Sequence, residues 1–440
     1  MNSRRRFLGG AALAAGAAQA ALAQAKTPRE ALRLAGETYP RIRDAHQAAL
    51  AVLKPSDRDL DHALELHYQS LIVESYGFSP RSSPDGAALR KAAEEGVSGD
   101  EFADLYTDSL LRRVADDASQ RDEYMAAWKT SGVTGILQNA GEESSNPLRI
   151  LKRLGSCTYL TDILRGEVVR AAVPDDIEAA KKAGKHCLYM TANGVPLAQQ
   201  GESVARELAY VRTFAQLGVR MVHVTYNRRN VLGDGCAEPA NGGLSEMGRA
   251  AIAELNRVGI IVDVAHSGWQ TSLEAARASK LPMVASHSGA VSVHRHIRSK
   301  PDEVIRAIAD TGGYVGVYCI AAFIGRTRDI AAMMDHIEYL VKKFGADHVA
   351  IGTDLAYIPL ATTEEHRKMG PRPKARTPYE SLWPAGQGPG RGHASLAWIN
   401  WPMFTVGMVQ RGISDEDIRK ILGGNVMRVC RAVWEGRERS

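Results

Sequence analysis

Gly259-Ile260-Ile261-Val262-Asp263-Val264-Ala265-His266 and, after a stretch of helical composition, Pro282-Met283-Val284-Ala285-Ser286-His287 decide the reading of this chain. Each is a short, β-branched apolar run that opens at a glycine or proline and closes on a histidine. Runs of the same kind recur on both sides: Leu71–Glu74, Val133–Leu137, Cys187–Met190 and Arg220–Val224 before them, Tyr314–Tyr318 and His348–Gly352 after. That makes eight expected strands, of which Ile260–Val264 is the fifth, Pro282–Ser286 the sixth and His348–Gly352 the eighth. Between them lie segments such as Glu246–Val258 and Pro301–Asp310, with apolar residues recurring at three and four. Gly218, Gly259 and Gly313 mark returns from helix to strand, where glycine readily takes a left-handed cap.

Apolar strands alternating with helices imply parallel strands joined by right-handed crossovers. Eight such units predict an α/β protein built as one (β/α)8 barrel of the TIM type, over residues 26–440. Insertions are expected after strands one, two and eight, the last being the Pro/Gly/Arg-rich segment Pro359–Gly392. A helical extension precedes the first strand and a helical tail, Asp415–Trp434, closes the chain.

The 440 residues, 45% hydrophobic and 24% charged, have globular proportions, which excludes a disordered or collagen-like chain. Net charge is +5, and Arg4, Arg5 and Arg6 supply three of those charges; the remaining +2 leaves no basic footprint for nucleic acid. Those arginines, an Ala/Gly/Leu run and Ala23-Gln24-Ala25 have the order of an export signal, residues 1–25, of the twin-arginine type. The expected location is therefore periplasmic or extracellular in a bacterium, with no later segment long and apolar enough to span a bilayer. Five cysteines without paired short spacing make no disulfide framework, although a Cys157–Cys236 bridge stays open.

In a barrel, chemistry collects where strands end at the C-terminal face. His266, His287 and Asp354 follow the fifth, sixth and eighth strands, so two imidazoles and a carboxylate are expected at one mouth. Imidazole nitrogen and carboxylate oxygen suit zinc or a similar divalent ion.

Several ordered motifs resemble the membrane (renal) dipeptidases, binuclear zinc peptidases of the metal-dependent amidohydrolase group. They are Leu217–Val224, Gly243-Leu244-Ser245-Glu246-Met247-Gly248, Val262–His266, Ala285–Ser288, His296–Asp302, Val349–Asp354 and Ile421–Asn425. The resemblance runs from about residue 130 to 434. It implies the barrel, metal-assisted hydrolysis of a small amide or dipeptide, and a homodimer. It also implies His266 and His287 as metal ligands, Asp354 as proton carrier and Arg298 as receiver of a substrate carboxylate. The family's strand-one His-x-Asp falls on Tyr76 and Phe78, its strand-three carboxylate on the Ala192-Asn193 stretch, and its strand-four histidine on Tyr226. A remodelled centre follows, with one zinc ion expected rather than two, held by His266, His287 and Asp354. Asp354 would then carry two duties, ligand and base, and Tyr226 would face the substrate. Glu74, Glu142, Glu143 and His67 are candidates to fill the gap, and His294 and His296 belong to a loop expected to be solvated. Two other readings stay open: a metal-poor, non-catalytic binding protein on the same barrel, and a mononuclear amidohydrolase or lactonase.

Overall fold

The structure, a computed structural model, describes residues 25–141, 146–201, 203–373 and 383–438. Nine parallel strands form one sheet: β1 Val73–Gly77, β2 Gly135–Asn139, β3 Val168–Ala171, β4 His186–Ala192, β5 Met221–His223, β6 Ile261–Asp263, β7 Val284–Ser288, β8 Tyr314–Val317 and β9 Val349–Ile351. Eight of them run in the order β1-β2-β4-β5-β6-β7-β8-β9, and β3 pairs with β4 off this path. The eight expected strands are thus the eight barrel strands. The seam between β9 and β1 is bridged at the mouth by Asp354 N–H to Tyr76 O (3.2 Å) and Phe78 N–H to Leu355 O (3.1 Å).

Neighbouring residues on one strand serve two cores, as a period of two demands. Met221 and Ile261 face inward with Leu137, Tyr189 and Tyr314, and Val429, Cys430 and Val433 of the helix Asn425–Gly436 join that cluster. Val222 and Val262 face outward, in the layer that holds Ile252 and Leu255 of the helix Glu246–Val258. Gly259 caps that helix in the left-handed region (φ 77°) and turns the chain into β6. At the later return it is Gly312, not Gly313, that takes positive φ. A Cβ on Gly313 would run into the Met283 carbonyl instead, so its smallness serves close packing.

The insertions fall where expected. Helices Gly86–Glu94, Gly99–Asp116 and Ala118–Ser131 follow β1, and the helix Pro147–Ile163, β3 and the helix Pro174–Lys182 follow β2. The helix Thr362–Met369 lies in the segment after β9. The helical tail includes a π-helical stretch, Lys420–Gly424. All five cysteines are free thiols, which corrects the open Cys157–Cys236 bridge. Residues 1–24, on which the export reading rests, lie outside the described residues. No described helix is long and apolar enough to cross a membrane.

Candidate metal and catalytic site

Three neighbouring strands deliver the polar groups. His223 is the last residue of β5 and Asp263 the last of β6, and the two are register partners. His287 lies within β7, and His266 sits on the turn just beyond β6. All four are buried. The ring centroids of His266 and His287 are 5.0 Å apart, and His223 lies 5.1 Å from the first and 5.3 Å from the second. Tyrosines cover the pair: Tyr226 stacks on His266 at 3.9 Å and Tyr76 on His287 at 4.0 Å.

The hydrogen bonds fix the imidazole tautomers. His266 Nδ1 lies 2.7 Å from Asn227 Oδ1, an acceptor, so Nδ1 carries the proton. Ser286 Oγ donates to Asp263 Oδ2 in a short contact, which leaves its oxygen to accept from His287 Nδ1–H at 2.8 Å. Both Nε2 atoms therefore present lone pairs, and they stand 3.0 Å apart. Two such lone pairs repel in a buried site unless a cation shares them. Neutral imidazoles are what a metal requires. Burial, and after it the positive charge of Arg298, holds both histidines well below the usual imidazole range.

Beneath them, Asp263 accepts from Ala265 N–H (2.9 Å) and Ser286 N–H (3.0 Å). Burial pushes its carboxyl up, but His223 and the Ser286 bonds outweigh that and hold it below the ordinary aspartate value. His223 Nε2 lies 2.8 Å from Asp263 Oδ2, off the line of a hydrogen bond; neither ring nitrogen of His223 makes one. Among the described residues, His223, Asp263 and His287 form the one metal-competent set of three or more His, Cys, Asp or Glu residues, their ligand atoms all within 4.8 Å of one another.

Of the residues expected at the mouth, the structure brings His266 and His287 together but leaves Asp354 outside that set. Asp354 stands half-buried on the β9 rim in the left-handed region, φ 59°. Arg298 is buried, donating from Nε to Ala265 O (3.2 Å) and from Nη2 to His287 O (3.1 Å), so it braces the chain beside both histidines. Lys300, also buried, donates to Ser267 O (2.6 Å) and Ser272 Oγ (3.2 Å), and burial drives its ammonium down to about 7. Tyr226 is half-buried above His266.

The substitute ligands find other employment. Glu74 is buried, but its oxygens accept from Thr353 N–H (3.1 Å), Thr353 Oγ–H and Trp398 Nε1–H (2.7 Å). His67 bonds Thr405 Oγ1 and Ser131 O, away from the mouth. His296, expected to be solvated, is buried against Phe323 at 4.3 Å. Glu142 and Glu143 lie outside the described residues. His223 and Asp263 are the pair that strand-end reasoning missed.

A family model described as membrane dipeptidase, peptidase family M19, matches residues 138–367, the stretch that carries β3 to β9 and His223, His266, His287 and His296. The chain belongs to the membrane dipeptidase family. It is 28% identical over 264 residues to the dipeptidase tcpJ of Claviceps purpurea, a match covering 59% of this chain and 54% of that one. The chain thus spans about half the length of that curated relative. Among solved structures, an amidohydrolase from Pseudomonas aeruginosa superposes with a TM-score of 0.64 at 26% identity, covering 85% of this chain and 99% of its own. The probable dipeptidase PvdM, also from Pseudomonas aeruginosa, superposes at 0.62 with 20% identity, covering 86% and 99%, and shares the fold. Membrane dipeptidases are metal-dependent hydrolases, and the paired Nε2 lone pairs of this chain fit a divalent ion.

Proposed function

We propose that this chain is an exported, dipeptidase-like metallohydrolase that cleaves a small amide substrate bearing a free carboxylate. The observation that carries the reading is the approach of the His266 and His287 Nε2 lone pairs to 3.0 Å, with both Nδ1 protons committed elsewhere. A zinc or similar divalent ion beside that pair would supply an activated water near neutral pH. Asp354, at the rim, takes the proton from the attacking water and returns it to the leaving amine. Tyr226 donates its Oη–H to the oxygen on which charge develops. Arg298 offers its remaining guanidinium N–H groups to the substrate carboxylate, a planar match for that group.

One ion suits the site better than two. The Tyr76 ring lies flat on His287, and its Oη donates to Asn193 Oδ1 at 2.6 Å, so an aromatic side chain and an amide stand where the resemblance calls for metal ligands. The same contacts favour, as a second reading, a mononuclear amidohydrolase or lactonase acting on another substrate. The test combines metal analysis of the purified protein with turnover on dipeptides, their C-terminal amides, and lactones. One zinc per chain and hydrolysis of dipeptides but not of the amidated forms supports the first reading. One ion with lactone cleavage alone supports the second; a chain that takes up no ion and turns over nothing overturns both.

A further inference from the structure

We propose that the ion of this chain is held one residue layer below the mouth, by His223, Asp263 and His287, with Asp263 rather than Asp354 as the carboxylate ligand. The inference rests on the reading that the chain holds a single divalent ion, and names the residues that hold it.

Four observations converge. The three ligand atoms already lie within 4.8 Å of one another, and ligands at about 2.0–2.2 Å from a common tetrahedral zinc stand roughly 3.3–3.6 Å apart, so any pair needs to close by at most about 1.5 Å. His223 and Asp263 occupy registered ends of adjacent strands, the most rigid support a barrel offers. Both nitrogens of His223 are buried without a hydrogen bond. Were this an ion pair without metal, an imidazolium would bury two N–H groups, neither of them satisfied, at a cost that such groups are seldom left to bear. A metal on Nε2 removes one of those vacancies. Finally, Asp263 and His287 are pre-oriented for the same point. Ala265 N–H, Ser286 N–H and Ser286 Oγ–H hold the carboxylate, and the same Ser286 Oγ takes the His287 Nδ1 proton. Ser286 therefore sets the tautomer of one ligand and the orientation of another, the role an outer partner plays in metal sites.

Charge favours the same layer. A dication placed near Arg298 and Lys300 is better set against a carboxylate than against imidazoles alone, and Asp263 is the carboxylate of the cluster. His287 is common to both layers, and His266, its Nε2 3.0 Å from that of His287, faces the same ion from the substrate side. Asp354 then no longer has to serve as ligand and base together.

The test is zinc affinity of the full-length chain, measured by competition with a chelating dye, for the parent and for His223→Asn, Asp263→Asn and Asp354→Asn. The first two should weaken binding by at least about 100-fold, more than loss of an outer partner costs, while Asp354→Asn stays within about threefold. Circular dichroism checks that each variant is folded. His223→Asn removes the ligand nitrogen without a charge change, and Asp263→Asn reports independently should that variant fail to fold. Parent-like affinity in either folded variant, with loss in Asp354→Asn, overturns the inference and returns the ion to the mouth. A parent chain that takes up no zinc overturns the one-ion reading itself.

Discussion

Replacing Lys300 with methionine should stabilise the chain at neutral pH and lose that gain as the pH rises. The Lys300 ammonium is fully buried and its value falls from 10.5 to about 7, chiefly through burial, with Arg298 pushing the same way against Cys236 and Asp263. Between about pH 7 and 10.5 the unfolded chain therefore holds more protons than the folded one, and stability rises with pH across that window. At about 1.36 kcal/mol per pKa unit, burial of this amine costs roughly 4 kcal/mol at pH 7, and about 3 kcal/mol of that is recovered by pH 9.5. Methionine fills a similar volume without the charge, but it strips Ser267 O of a donor at 2.6 Å; Ser272 Oγ keeps its bond to Gly268 O. That loss costs about 1–3 kcal/mol. Lys300→Met should accordingly be more stable than the parent by about 2 kcal/mol at pH 7. It should be no more stable at about pH 9.5, where most of the parent's penalty has lifted. Urea unfolding of both proteins at the two pH values, with a chelator present so that ion binding does not enter, measures the difference. A gap that does not change with pH would refute the reasoning, because it would mean that the lysine is equally protonated in the folded and unfolded chains.

Asp354→Asn should retain its ion and lose turnover by about 10²–10⁴-fold, the range for a lost general base, as read from metal content and kcat on one sample. Tyr226→Phe should lower kcat by about 10²-fold or more with little change in KM, since it removes a donor used only as charge develops. Tyr76→Phe leaves Asn193 Oδ1 without the phenol donor at 2.6 Å and should cost about 1–3 kcal/mol in urea unfolding while zinc content stays unchanged.

The barrel was legible because its strands are buried on both faces and read as continuous apolar runs, each returned from a helix by a capping or close-packed residue. β3 was not: Val168-Val169-Arg170-Ala171 mixes a half-buried valine and an exposed arginine with two buried residues, the pattern of an added strand covered on one side. The mouth was legible in part. His266 and His287 stand out because they terminate apolar runs, and the structure places their Nε2 atoms in contact. Asp354 follows β9 by the same logic, but the rim holds it in a left-handed turn outside the metal-competent set. Strand-end counting sees the side chains that crown a barrel and not those one residue inside it.

The signal for the inner pair was nonetheless present. Val262-Asp263-Val264 buries a carboxylate in an apolar run, and Met221-Val222-His223-Val224 buries an imidazole in the neighbouring one. Either group alone would cost several kcal/mol to bury, so each implies a partner, and parallel register makes them partners of one another. Tyr76 packs flat on His287 with its ring centroid 5.2 Å from that of His223, and Asp263 Oδ2 lies 2.8 Å from His223 Nε2. Asp263 is held by Ala265 and Ser286 whether or not an ion is bound, but without one both ring nitrogens of His223 stay buried with no hydrogen bond. The ion proposed at His223, Asp263 and His287 would give the Nε2 of that imidazole a partner.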